Sequence, residues 1–540
     1  MNTDKELAGS QFKITYNKAA HAGPITGRVV LVIARSDLAE PRFQIGANLV
    51  PIFAVDVESL QPGQPAVIDD TTFGHPIDSL ARLPAGEYHV QAVLNVYTRC
   101  QRSDGHVLWV HWDMGGRFFN TSPGNLYSDV QQVRLDPATR FKVNLSLDHV
   151  VAPADPPRDT SWIRRVKIKS DLLSTFWGVP VYLGATVILP KGYEERNDVR
   201  YPVVYAQGYL GSPAFYFNED PESLPEQEGL REAANLQPGY EFFQEWGSDS
   251  FPRFLAVTFV EPSPFFPDGY GMNSVNNGPY GDAVTRELIP YVEEEFRAIG
   301  RPYARILEGA STGGWASLAL QLKYPDFFGG AWIFNPDPID FRRYLLLNIY
   351  EDENAFTVPD SSWTPSERPM RRSAEGQVNL TVRQMSELEA VLGSKGRSGY
   401  QFNAWEAVFG PIGDDGYPRA LWDKRTGKID REVATYMRDN GYDLRHFAES
   451  NWATLGPKVS GKLHFDTGDM DNFHLNLAVY LFEEFAKSST DPKSDATFRY
   501  GRPMKGHSWH STNFADMVRE MADQVLRNTP ASESRAWSEY

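Results

Sequence analysis

The sequence predicts an all-β head followed by an α/β body whose open, doubly wound sheet is mostly parallel. Three observations carry this. Residues 11–150 hold about seven short runs rich in β-branched and aromatic residues, with no long helical pattern between them. Residues 151–161 are dense in proline and aspartate. From residue 162 onward, apolar runs of strand length alternate with amphipathic stretches of helix length.

The head comes first. Phe12-Lys-Ile-Thr-Tyr, Arg28-Val-Val-Leu-Val-Ile, Pro51-Ile-Phe-Ala-Val-Asp-Val, Tyr88-His-Val-Gln-Ala-Val-Leu, Val107-Leu-Trp-Val-His-Trp, Val130-Gln-Gln-Val-Arg-Leu and Phe141-Lys-Val-Asn-Leu-Ser-Leu read as strands. Glycine, proline and aspartate punctuate them, so residues 1–150 are expected to form a β-sandwich, immunoglobulin-like in outline. Val151-Ala-Pro-Ala-Asp-Pro-Pro-Arg-Asp-Thr then reads as a stiff, extended linker over 151–161.

The body is expected over 162–540. Arg165-Val-Lys-Ile-Lys and Ala185-Thr-Val-Ile-Leu look like its opening strands. Pro202-Val-Val-Tyr-Ala and Phe254-Leu-Ala-Val-Thr-Phe-Val are continuously apolar, as buried parallel strands are. Val284, Leu288, Ile289, Val292 and Phe296 recur at three and four residues, which predicts a helix from about Gly281 to Arg297. Residues 337–460 hold helix-like stretches, such as Val382–Leu392 and Ile429–Asn440, and no strong strand. They are expected to be a helical insertion capping the site, being too long for a bare loop. Strand Lys462-Leu-His-Phe, a helix from about Phe473 to Lys487, strand Thr497-Phe-Arg-Tyr and a helix from about Thr512 to Arg527 complete the sheet.

Composition narrows the function. The chain has 540 residues, 41% hydrophobic and 13% aromatic, as a well-packed protein of more than one domain requires. Seventy acidic residues against 53 basic ones leave a net charge of −17. That argues against nucleic acid or an anionic membrane as partner. A small molecule, neutral or weakly charged, is the expected partner. The single cysteine, Cys100, excludes an intrachain disulfide and a cysteine-based zinc site, and is expected to be structural. No run of 18 apolar residues exists, so no membrane-crossing helix is expected. The first residues lack the apolar core of a signal peptide, which leaves a cytoplasmic protein or an exported one without its leader.

The chemistry centres on Gly309-Ala310-Ser311-Thr312-Gly313, a Gly-x-Ser-x-Gly pattern. It follows the short apolar stretch Ile306-Leu307 and precedes a helix-like stretch from Trp315 to Lys323. A sharp strand-to-helix turn strains the central residue and leaves room only for small neighbours. It lifts the Ser311 hydroxyl above the sheet and leaves the Thr312 N–H at a helix N-terminus, where an oxyanion can be held.

A serine needs a base and a group to orient that base. In an α/β hydrolase these follow in the order Ser, acid, His. Lys505-Gly-His-Ser-Trp-His lies between the last strand and the last helix, which favours His507 as base, with His510 as its rival. In Phe465-Asp-Thr-Gly-Asp-Met-Asp, Asp471 is favoured as the acid over Asp469, with Asp337 a remote third. The spacing of these acids and of His464 and His474 matches no calcium or zinc loop, so no metal and no cofactor is expected. The second oxyanion donor is expected in Gln207-Gly-Tyr-Leu-Gly, from the N–H of Tyr209 or of Leu210.

Tyr201-Pro-Val-Val-Tyr, Asn277-Gly-Pro-Tyr-Gly-Asp, Glu287-Leu-Ile-Pro-Tyr-Val-Glu, Glu308-Gly-Ala-Ser-Thr-Gly-Gly-Trp-Ala-Ser, Gly468-Asp-Met-Asp and Gly506-His-Ser-Trp give the chain a resemblance. Over roughly 165–530, outside the insertion, it resembles the esterase family of α/β hydrolases that includes enterochelin-esterase-like enzymes, feruloyl esterases, related carbohydrate esterases and mycolyltransferases. The resemblance implies Ser311 as nucleophile, Asp471 as acid and His507 as base. A β-sandwich ahead of the catalytic part is likewise similar to enterochelin-esterase-like proteins. Two departures stand out: Gln207-Gly208 where the family has His-Gly, and the long insertion. The expected activity is serine carboxylic-ester hydrolysis through an acyl-enzyme, on bulky, aromatic or sugar-linked esters. The alternatives are acyl transfer to a sugar hydroxyl and, from another class, a glycan- or partner-binding protein with an inert hydrolase part.

Overall fold

The computed structural model describes residues 9–539 except 48, 113–117, 209–210, 222–234, 359–362 and 508. All seven strands expected in the head are present. They are β1 (Gln11–Tyr16), β2 (Ile25–Ala34), β3 (Ile52–Leu60), β6 (Gly86–Gln101), β7 (Val107–His111), β9 (Gln131–Leu135) and β10 (Lys142–Leu147). Four shorter ones join them: β4 (Ala66–Asp69), β5 (Gly74–His75), β8 (Leu126–Tyr127) and β11 (His149–Val150). One sheet runs β10-β1-β4, and a larger one runs β11-β8-β6-β2-β3-β5, with β7 and β9 paired to β6.

Strand β2 is buried on both faces. Val29, Leu31 and Ile33 join Phe12 and Ile14 in a core shared by the two sheets. Val30, Val32 and Ala34 point the other way, into the core of the α/β body. Alternation along a strand separates these two sets. Residues 151–160 form no regular element, and nearly all are exposed. Cys100 is buried near the end of β6, where burial pushes its thiol up to about 11.

The body is built on eight strands. They are β12 (Ile163–Ser170), β13 (Val181–Ile188), β14 (Val203–Gln207), β15 (Leu255–Val260), β18 (Arg305–Ala310), β19 (Gly330–Phe334), β24 (Leu463–Gly468) and β25 (Thr497–Gly501). Their order is β12-β13-β15-β14-β18-β19-β24-β25, and β16 (Asn273–Ser274) and β17 (Gly278–Pro279) form a separate pair. Only β13 runs against the rest, pairing antiparallel with both β12 and β15. Counted along the sheet's own chain order this is 1-2-4-3-5-6-7-8, the α/β hydrolase arrangement. Strands β14 and β19 are buried at every position, as central parallel strands covered on both faces must be.

Three local expectations are corrected. The helix predicted over 281–297 is broken into Tyr280–Ala283, a wider π-turn at Val284–Leu288, and Ile289–Glu295. Pro290 donates no backbone N–H, and the wide turn ahead of it absorbs the loss. The helix predicted from Phe473 begins at Asn476, because the Asp471 carboxylate takes the N–H groups of Phe473 and Leu475 and His474 sits at φ +63°. The insertion does carry strands: the pair β20 (Thr357–Val358) and β21 (Ser366–Glu367), and the pair β22 (Pro369–Arg372) and β23 (Val378–Thr381). Its helices include Val382–Leu392, Gln401–Phe409, Arg431–Asp439 and Leu444–Val459.

The head and the insertion are stitched together. Arg28 pairs with Asp56 at 2.7 Å and donates to the carbonyl of Val391 at 2.8 Å. Arg397 donates to the carbonyl of Trp109 at 2.8 Å, and the Trp109 N–H donates to the Tyr417 hydroxyl. Among the described residues, no helix is long and apolar enough to cross a membrane.

Candidate active site

Ser311 stands between β18 and the helix Thr312–Lys323 with φ 58° and ψ −121°. L-residues avoid this backbone conformation, and it persists only where the surroundings impose it. Here they do. The Ser311 N–H donates to the Phe334 carbonyl, and the Ser311 carbonyl accepts from Asp337 and Trp315 N–H. The flanking glycines are required by contact. A Cβ on Gly309 would lie 2.4 Å from the Gly313 backbone, and one on Gly313 would lie 2.5 Å from the Gln207 carbonyl oxygen. The neighbouring strand end and the helix start therefore meet with no space for a side chain. Thr312 opens the helix and is buried. Tyr209 and Leu210, the expected second donors, lie outside the described residues.

Asp471 and His507 come from the loops after β24 and β25. The His507 Nδ1 and the Asp471 Oδ2 are 2.7 Å apart, and Asp471 is fully buried. The two loops are zipped together: Met470 N–H donates to the Lys505 carbonyl, and His507 N–H donates to Asn472 Oδ1 at 2.7 Å. Gly506 permits the approach, since a Cβ there would meet that same Asn472 oxygen at 2.7 Å. Hairpin β22–β23 of the insertion braces the acid loop, Arg372 Nε donating to the Asp471 carbonyl and Asn472 donating to that of Arg372. Burial by itself would lower the His507 pKa. The Asp471 carboxylate outweighs it, with a smaller contribution from Asp337, so the imidazole is held above 6.5.

The rival residues sit elsewhere. Asp469 accepts from the Lys505 N–H. The His510 ring stacks on Phe334 at 4.0 Å between centroids and is buried. His474 is pushed down to about 4 by burial first and by Arg372 second.

Asp337 is the surprise. It follows β19 at the same edge of the sheet, and the Ser311 hydroxyl donates to its Oδ1 at 3.2 Å. Its Oδ2 accepts from Tyr270 at 2.7 Å, Trp405 Nε1 at 3.0 Å, and Thr312 and Gln401 at 3.1 Å. Burial raises its pKa against the pull of these donors. Among the described residues, no hydrogen bond joins Ser311 to His507. Sequence reading weighed Asp337 only as a distant candidate for the acid. Its position at the carboxyl end of the strand beside β18 was the available signal, because ligands of open α/β sheets gather there.

Ser311 and Asp337 open into a cavity of about 430 Å³. Leu345, Met370, Leu380, Met385, Tyr400 and Trp405 of the insertion line it, with Phe118 from the head and Phe473 beside His507. Of its described lining side chains only Asp337 and Arg371 are charged.

No curated protein matches the chain. Among solved structures, a ferulic acid esterase is 16% identical, covering 68% of this chain and 97% of that chain, with a TM-score of 0.35. A fluorophosphonate-binding serine hydrolase of Staphylococcus aureus is 13% identical, covering 67% and 98%, with a TM-score of 0.32. An S-formylglutathione hydrolase of Agrobacterium tumefaciens is 13% identical, covering 68% and 98%, with a TM-score of 0.33. Residues 268–409, which contain the elbow and much of the cavity lining, match the family described as "Putative esterase". The stretch that carries Ser311 is thus similar to that esterase family.

Proposed function

We propose that the protein hydrolyses carboxylic esters with Ser311 as nucleophile, His507 as general base and Asp471 as the carboxylate that orients it. The observation that carries this reading is the 2.7 Å pair between a fully buried Asp471 and His507, set beside an elbow serine at φ 58°. The pair fixes His507 with its proton on Nδ1, leaving Nε2 to receive another. In the first step the Ser311 hydroxyl turns from Asp337 toward His507 Nε2, gives up its proton and attacks the ester carbonyl. The Thr312 N–H, with one from the loop containing Tyr209, holds the oxyanion. His507 then protonates the leaving alcohol, and water repeats the sequence on the acyl-enzyme. The apolar, partly aromatic cavity suits a bulky acyl group. With the chemistry assigned to residues 162–540, we read the paired sheets of residues 1–150 as a β-sandwich that supplies part of the cavity wall through Phe118. A fluorophosphonate probe tests the assignment: it should label the wild type at Ser311 and leave Ser311→Ala unlabelled. Labelling of the variant at the same rate would remove Ser311 from the mechanism.

A further inference from the structure

The two oxygens of Asp337 are provided for unequally. Oδ2 accepts from Tyr270, Thr312, Gln401 and Trp405, whereas Oδ1 accepts from the Ser311 hydroxyl. In the reaction proposed above, that hydroxyl proton passes to His507. Oδ1 then loses its donor at the moment the carbonyl carbon bonds to Ser311, inside a cavity whose other walls are mostly apolar. A buried carboxylate oxygen stripped of its donor opposes the step that strips it. The opposition disappears when the substrate itself brings a donor to the same place. Because Oδ1 lies 3.2 Å from Ser311 Oγ, that donor belongs on the carbon next to the scissile carbonyl.

Resting on the esterase reading, we infer that the acyl group carries a hydrogen-bond donor, hydroxyl or ammonium, on its α-carbon, received by Asp337 Oδ1, with an apolar side chain filling the cavity. The natural substrate is then a 2-hydroxyacyl or 2-aminoacyl ester with an aromatic or branched side chain, and Asp337 determines specificity. The net charge of −17 favours approach of the cationic form. Arg371, the other charged lining residue, stands apart from this role because it carries no acceptor.

The test compares kcat/KM for p-nitrophenyl esters of 3-phenylpropanoate, 2-hydroxy-3-phenylpropanoate and phenylalanine, corrected for spontaneous hydrolysis, on wild type and Asp337→Asn. Wild type should favour at least one donor-bearing ester by about tenfold or more over the unsubstituted one. The hydroxy and amino arms then separate the two sources of the donor. In Asp337→Asn the donors gathered at Oδ2 hold the amide carbonyl on their side, which turns the NH2 toward the substrate. Donor then faces donor, and the preference should fall to about one or below. Equal rates on all three esters in wild type would overturn the inference, even if the variant failed to fold. So would a preference that survives in Asp337→Asn, or an equal loss on all three esters, which would mean that Asp337 serves His507 instead. Failure of the esterase reading looks different: no turnover of any ester and no fluorophosphonate labelling of Ser311.

Discussion

The floor and the roof of the cavity are made by opposite means. The floor is the carboxyl end of the sheet, where Ser311, Asp337, Asp471 and His507 are each fixed by directed polar contacts, and the elbow backbone is held in strain. The roof is the insertion, where Leu345, Met370, Leu380 and Met385 enclose space by shape. The difference teaches where the chain tolerates change. Floor positions have one acceptable atom arrangement, whereas roof positions have only a volume to satisfy.

The sharpest way to break this contrast is at the floor. Ser311→Ala should lower kcat/KM by about 10³-fold or more, whatever the acyl group, while the thermal midpoint stays near that of the wild type. An acyl-dependent loss would mean that the floor also selects substrates through Ser311. Asp471→Asn comes next, with an expected loss of about 10²-fold or more because His507 loses its fixed tautomer. It also carries a pH signature. Activity needs neutral His507, so wild-type kcat/KM should fall as pH drops through a value above 6.5, and removing the Asp471 charge should move that limb downward. A limb that stays in place would show that another group sets it.

At the roof the effects should be smaller and substrate-dependent. Leu380→Ala or Met385→Ala should change kcat/KM on bulky esters by about tenfold and on acetyl esters by far less, read from a panel of chain lengths. Smallest is the seam between head and roof. Arg28→Ala removes the bonds to Asp56 and to Val391, and should cost about 1–2 kcal/mol of stability by denaturant unfolding. Burial would raise the Asp56 pKa, but Arg28, Ser394 and Arg397 together hold it below 3.8. The tie is therefore present at neutral pH and is lost only as pH falls through that depressed value.

This contrast also explains what the sequence revealed. The strands of the sheet were legible because continuous apolar runs mark buried parallel strands, as at β14 and β19. Ser311 was legible from its glycines, and Asp471 and His507 from their place after β24 and β25. The preference for Asp471 over Asp469 rested on the turn at Gly468, and the coordinates add which of the two carboxylates faces His507, at 2.7 Å. Asp337 was hidden for a related reason: its role depends on five donors from three distant segments, among them Tyr270 and Trp405. The roof left no pattern, since its lining residues are scattered from 345 to 405 and share a wall only after folding.

Strand β2 has no outside. Its even-numbered and odd-numbered side chains belong to different interiors, so it acts as a party wall, and neither room stands once it is removed. Cutting the chain in the proline-rich stretch after residue 150 would strip the cover from the body next to Val30, Val32 and Ala34. A shortened protein beginning there should be recovered insoluble, and the intact chain should melt in one transition. Engineering of this enzyme must therefore keep the head, even though none of the proposed triad lies within it.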